Sequence, residues 1–168
     1  REGIYEYKKK ISEAALLKNL VFHNSVDELL LDGDFGYSLN DQISVSSTEL
    51  KTGTVFEDNI KKVNNNNQAF TLFKTKQNQI LVGRSDGLYQ FKNGVQEKID
   101  IGKKHPIYSL TEDTTGTLYA GSDNAILCIK DNKIIKTITV KTQKAASFFS
   151  ANNIAHVSKL IIDKYNRI

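Results

Sequence analysis

Apolar residues recur along this chain in short runs separated by turn-forming residues, at intervals too short for helices. Ile80-Leu-Val and Leu88-Tyr-Gln-Phe91 flank Arg84-Ser-Asp-Gly87, and Leu118-Tyr-Ala and Ala125-Ile-Leu-Cys-Ile129 flank Ser122-Asp-Asn124. Residue types that fit a pleated surface, joined by polar turn residues, predict β-hairpins. Gly87 is placed to supply the positive φ that a tight turn demands.

A second turn type sets a frame. Asp113-Thr-Thr-Gly116 combines an acceptor side chain with a glycine, and Asp163-Lys-Tyr-Asn166 repeats it 50 residues on. Thr75-Lys-Gln-Asn78 and Asn24-Ser-Val-Asp27 are assigned to the same slots. An apolar residue precedes each turn by three positions (Val21, Leu72, Leu110, Leu160), and another follows it by two (Leu29, Ile80, Leu118, Ile168). Positive φ is expected at Gly87, Gly116 and Asn166. "LLLDGDFG-YSL" aligns with "ILVGRSDGLYQF", so Asp32-Gly-Asp34 is read as the same hairpin as Arg84-Ser-Asp86.

Each unit therefore reads strand, short turn, strand, tight turn, strand, then a polar connection and a fourth strand such as Lys133–Val140. Spacings of 51, 38 and 50 residues bracket the length of a propeller blade. The expected fold is all-β: one β-propeller segment, residues 1–168, of four-stranded antiparallel blades. It holds about three complete units and two partial ones, "EGIYEY" being the tail of an earlier copy. Because the chain ends just after the turn of a new unit, further blades are expected on both sides. Ser46–Asn67, ending in "NNNN", is read as a solvated loop. "ISEAALLKNL" is the one helix-like stretch, and Phe148 and Phe149 are expected in the core.

Composition narrows the function classes. The 168 residues are 39% hydrophobic and 25% charged, values of a globular chain. No apolar run approaches a membrane span. The formal charge of +4 is modest, and Lys8-Lys-Lys10 is the only lysine triplet, without interleaved aromatics; no nucleic-acid partner is expected. A single cysteine, Cys128, excludes an internal disulfide and a cysteine-rich zinc site, and its apolar run predicts a buried thiol. His23, His105 and His156 stand without partners at metal-ligand spacing, and Asp32-Gly-Asp34 lacks the rest of a calcium loop. Glu112-Asp113 is read as turn chemistry rather than an acid–base pair. No catalytic residue, metal or cofactor is expected.

The segments "HPIYSLTEDTTGTLYAGSDNAILCIKD" and "HVSKLIIDKYNRI" resemble the two-component-regulator propeller repeat. That pattern is an apolar strand, an Asp-turn-Gly, a Trp-Ile-Gly-Thr strand and a Gly-Leu-Tyr. Leu30, Leu81 and Tyr119 stand where the family has Trp, and the chain contains no Trp. The resemblance implies the extracytoplasmic, periplasmic sensor region of a hybrid two-component histidine kinase of the Bacteroidetes type, one that recognises glycan fragments. The kinase would lie outside these residues, with other blades, an oligosaccharide and a second copy of the parent as partners, and no direct membrane contact from this segment. A non-catalytic scaffold for protein–protein interaction and a polysaccharide-processing propeller enzyme are the competing classes, since fold alone does not decide function.

The expected binding surface is the end of the blades where the turns between second and third strands converge. Those turns are read as Asp32-Gly-Asp34, Arg84-Ser-Asp86 and Ser122-Asp-Asn124. Arg84, Asp86 and Asp34 are the candidate ligand-binding residues, offering a guanidinium and two carboxylates to sugar hydroxyls.

Overall fold

A computed structural model describes residues 26–40, 44–49, 51–52, 54–57, 68–140, 156–163, 165 and 167–168. The helix-like stretch, the "EGIYEY" tail, His23, Asn166, Phe148 and Phe149 lie outside the described residues. The described elements are all strands: β1 (Val26–Asp32), β2 (Phe35–Asn40), β3 (Ser44–Glu49), β4 (Val55–Glu57), β5 (Ala69–Lys74), β6 (Ile80–Arg84), β7 (Gly87–Lys92), β8 (Val95–Ile99), β9 (Ser109–Glu112), β10 (Leu118–Ser122), β11 (Ala125–Lys130) and β12 (Lys133–Thr139). They form three four-stranded antiparallel meanders, β1–β4, β5–β8 and β9–β12, each in chain order. These are the blade-like units the hairpin pattern predicts; the described residues form no closed ring.

The middle sheet shows how sequence period produces layers. Every residue of β6 is buried, and alternation sends its side chains both ways. Ile80 and Val82 join Tyr89, Phe91, Leu72, Leu39 and Val45 in a cluster against the first sheet. Leu81 and Leu88 join Leu110, Leu118, Leu127 and Ile129 against the third. Burial falls away outward: β8 and β12 are mostly exposed outer strands.

Successive units interlock at two glycines. A Cβ on Gly83 would lie 2.6 Å from the Ile107 carbonyl oxygen, and one on Gly121 would lie 2.2 Å from that of Val157. The segment leading into each new unit crosses the preceding sheet there, and the bonds Ile107 N–H to Arg84 O and Val157 N–H to Ser122 O seal the two crossings. Ile107 and Val157 are 50 residues apart, the same spacing as Asp113 and Asp163.

The framing turns form as expected. Thr75, Asp113 and Asp163 each donate their N–H to the carbonyl four residues on, at 2.9, 3.0 and 2.9 Å. Gly87 and Gly116 have φ of +147° and +78°, and Asn78 fills the Gly116 slot at +62°. Cys128 is buried, as its apolar run predicts, and burial pushes its thiol pKa up.

The first sheet departs from the expected frame in two ways. Ser46–Asn67 is not loop throughout: β3 and β4 occupy its first part, and Val45, Ser46, Ser47 and Thr48 are buried. A serine-rich strand can be interior because the Ser38 and Ser46 hydroxyls bond each other at 2.9 Å, which offsets their loss of water. Second, Asn24–Asp27 is not a turn of the framing type at its described end, since Val26 and Asp27 belong to β1. The β1 strand lies beside β5 and parallel to it: Glu28 accepts from Leu72 N–H, while Asp32 pairs with Lys74. It is thus the first strand of its unit, not the second.

Candidate functional site

The frame change relocates one candidate. Call the β6–β7 and β10–β11 turns the upper end and the β5–β6 and β9–β10 turns the lower end. Asp32, paired with Lys74 at the foot of β5, puts the Gly33-Asp34 turn at the lower end. The three turns expected to converge therefore do not share a face: Asp34 is opposite Asp86 and Asp123. It pairs with Lys51 at 3.1 Å, with both side chains largely in solvent.

Arg84 is at the upper end but fully buried at 0% exposure, its guanidinium 5.8 Å from the Tyr89 ring centroid. In this arrangement its side chain packs against Tyr89. Asp86, in the following turn, accepts from the Tyr89 hydroxyl at 2.8 Å and from Lys98 Nζ at 2.9 Å. Burial alone would raise its pKa, but the bonds from Lys98 and Tyr89 and the ammonium charge outweigh it and hold the carboxyl below its ordinary value.

The residues that do converge come from the incoming segments. Phe70 of β5, Tyr108 just before β9 and His156 before the next unit form a row, with ring centroids 4.8 and 4.7 Å apart. Asp123, in the β10–β11 turn, joins two of them: its Oδ1 accepts from the Tyr108 hydroxyl at 3.0 Å and lies 2.8 Å from His156 Nδ1. His156 is an exposed residue, and its contact with Asp123 is a pairing the sequence did not reveal. Burial, and then the Asp123 bond and charge, push the Tyr108 pKa up to about 12, so Tyr108 stays a neutral donor throughout the physiological range. Beside them Ser122 Oγ is buried, with no hydrogen-bond partner among the described residues.

Sequence reasoning found the Ser122-Asp-Asn124 turn but missed Phe70, Tyr108 and His156. Their signal was available in the frame, because Phe70 and Tyr108 are 38 residues apart, the same interval as Thr75 and Asp113. Aromatic rings, two carboxylates, an ammonium and a phenol on one surface can stack on apolar faces and exchange hydrogen bonds with hydroxyls. Among the described residues no group of His, Cys, Asp and Glu is arranged to hold a metal ion.

No protein-family model matches the chain, and no curated protein matches it in sequence. Among the solved structures it resembles are two crystal structures of the extracellular domain of one B. thetaiotaomicron protein. It is described in one structure as a one component system and in the other as a hybrid two component system. The TM-scores are 0.53 and 0.56, with 24% and 23% identity over 64% and 70% of this chain. The chain spans only 16% and 17% of those chains, so the likeness is one of fold across a small part of a much larger assembly. A computationally designed protein, Ika4, aligns at a TM-score of 0.47 and 11% identity, over 73% of this chain and 96% of its own.

Proposed function

We propose that this chain is a ligand-sensing segment of a β-propeller in the extracytoplasmic region of a hybrid two-component sensor, recognising a glycan fragment. The signal would pass to a kinase elsewhere in the parent. One observation carries the reading: the upper end gathers polar and aromatic groups from three successive units, so that one ligand can touch several of them. The fold shared with the extracellular domain of a B. thetaiotaomicron hybrid two component system supports the sensor setting and, with it, the proposed extracytoplasmic location. The role proposed is binding rather than catalysis.

The proposed contacts are Asp86, Asp123 and Tyr108. Asp34, at the lower end, and Arg84, buried, are left out of this proposal. The test is calorimetry on the complete sensor region with an oligosaccharide library. Asp86→Ala and Tyr108→Phe should weaken binding without lowering the melting temperature by more than a few degrees, while Asp34→Ala leaves affinity unchanged. Unchanged affinity in both upper-end variants would move the site away from this face.

A further inference from the structure

The two crossings between successive units are built alike, except at one pair of side chains. Each is sealed by the same backbone bond, Ile107 N–H to Arg84 O and Val157 N–H to Ser122 O. Ser85 and Pro106 flank the first, and Asp123 and His156 occupy the same places in the second, 38 and 50 residues on. Neither Ser85 nor Pro106 has an ionisable side chain, so a crossing forms without a carboxylate–imidazole pair. The pair belongs to this surface and is not a requirement of the fold.

Its geometry fixes what the surface offers. Asp123 Oδ1 takes both local donors, the Tyr108 hydroxyl at 3.0 Å and His156 Nδ1 at 2.8 Å. A carboxylate oxygen only accepts, so the proton of the neutral ring sits on Nδ1 and Nε2 keeps a lone pair. An antiparallel backbone bridge between Asp123 and His156 holds the imidazole in place, as does an edge-to-face contact with the Tyr108 ring, centroids 4.7 Å apart. What remains is acceptors only: Asp123 Oδ2, His156 Nε2 and the second lone pair of the Tyr108 hydroxyl. None of the three bonds elsewhere among the described residues, and the side chains of His156 and Asp123 are 56% and 37% exposed. A primary ammonium, with three N–H donors, a positive charge and no acceptor, is the complement of this set.

We propose that Asp123, His156 and Tyr108 form a subsite for a primary ammonium group, so that the glycan bound at the upper end carries an unacetylated amino sugar. That ligand rests on the upper-end reading above, which it makes more specific. A protonated imidazole has two donors, no acceptor and a positive charge, so acid removes His156 from the subsite and repels the ammonium. The titratable groups facing the ring among the described residues are Asp123, from the β10–β11 turn, and Tyr108, from the segment entering β9. Tyr108 keeps its proton throughout the range in which histidines charge.

The probes are the β-1,4-linked glucosamine trimer and cellotriose, which has a hydroxyl in place of each amine, titrated calorimetrically into the complete sensor region. The amine should bind about tenfold more tightly than cellotriose, as one charge-assisted hydrogen bond predicts, and added salt should reduce the preference. Asp123→Asn and His156→Phe should each abolish it, the phenyl ring keeping the contact with Tyr108. In His156→Gln a carboxamide can donate to Asp123 and accept from the amine without titrating, so the preference should survive at pH 7. Relative to that variant, wild-type affinity for the amine should fall about fivefold between pH 7 and pH 5.5, a ratio in which the ligand's own titration cancels. The proposal is overturned if the two trisaccharides bind equally or not at all, or if the preference survives both Asp123→Asn and His156→Phe. Equal binding that Asp86→Ala still weakens would leave the upper-end reading standing without the ammonium subsite. A preference for the amine that no upper-end substitution alters would remove both.

Discussion

Asp113 replaces the water its carboxylate loses on burial with four hydrogen bonds. Its Oδ1 accepts from the N–H and hydroxyl of Thr115 and from the N–H of Thr117, and its Oδ2 from the Tyr119 hydroxyl. Burial would raise the pKa, but those bonds together hold it down at about 2. A carboxylate depressed in this way stabilises the fold fully above its unfolded value near 4, and that contribution disappears as pH falls through about 2. Its size is on the order of 2–3 kcal/mol at neutral pH. Asp113→Ala should therefore lower stability by at least that much, and the loss relative to wild type should shrink between pH 4 and pH 2 in denaturant titrations. A constant difference across that range would contradict the turn's electrostatic role. The crossing glycines make a second case at this scale. A methyl at Gly121 would press on the Val157 carbonyl at 2.2 Å and on Ser109 Oγ at 2.4 Å. Gly121→Ala should cost about 1–3 kcal/mol by overpacking, measured as a lowered urea midpoint. Gly87→Val should cost a similar ~1–3 kcal/mol by a different route, backbone strain at a φ that side chains resist.

Among the elements, the outer strands face a hazard the inner ones do not. The β12 strand reads Lys-Ile-Ile-Lys-Thr-Ile-Thr, a sequence that would template a foreign strand if its edge were flat. Its register with β11 shifts between Cys128 and Ile129, so Ile135 is the extra residue of a bulge and is 60% exposed. The bulge twists the edge, and Lys133 and Lys136 add charge to it. Replacing both lysines with valine should speed aggregation, followed by light scattering, with little change in melting temperature. The hairpins of the second and third sheets were legible in the sequence because Gly87, Gly116 and Asn78 mark turns whose backbone only such residues adopt readily. The first sheet was not. Its lower turn, Gly33-Asp34, is shorter than Thr75–Asn78 and so imitates an upper hairpin, and the side chains that reveal its end, Asp32 and Lys74, are 42 residues apart. The polarity of Ser46, Ser47 and Thr48 hid a buried strand, since only the paired hydroxyls of Ser38 and Ser46 show why such residues can be interior.

For the molecule as a whole, two clusters tie three sheets together through the middle one, and stability should be graded accordingly. Amides of β6 and β10 should exchange with deuterium more slowly than those of β8 and β12, since local opening is easiest where few apolar contacts hold a strand. Equal protection across all four would argue against this layering. The candidate site was half legible for a related reason. Turn residues announce themselves locally, but Phe70, Tyr108 and His156 come together only when successive units stack. The stacking has its own consequence for how such a chain can change over time. From Ala69 to Ile99 and from Ser109 to Thr139 the two units have the same span, yet Ile99 is followed by Ile107 after 8 residues and Thr139 by Val157 after 18. Most of the extra length falls between a last strand and the next crossing. The glycine contact, not the number of residues in a repeat, sets where the next unit begins. Insertions at these outer junctions are therefore free to accumulate, and new peripheral surface can be acquired without disturbing the geometry around the centre.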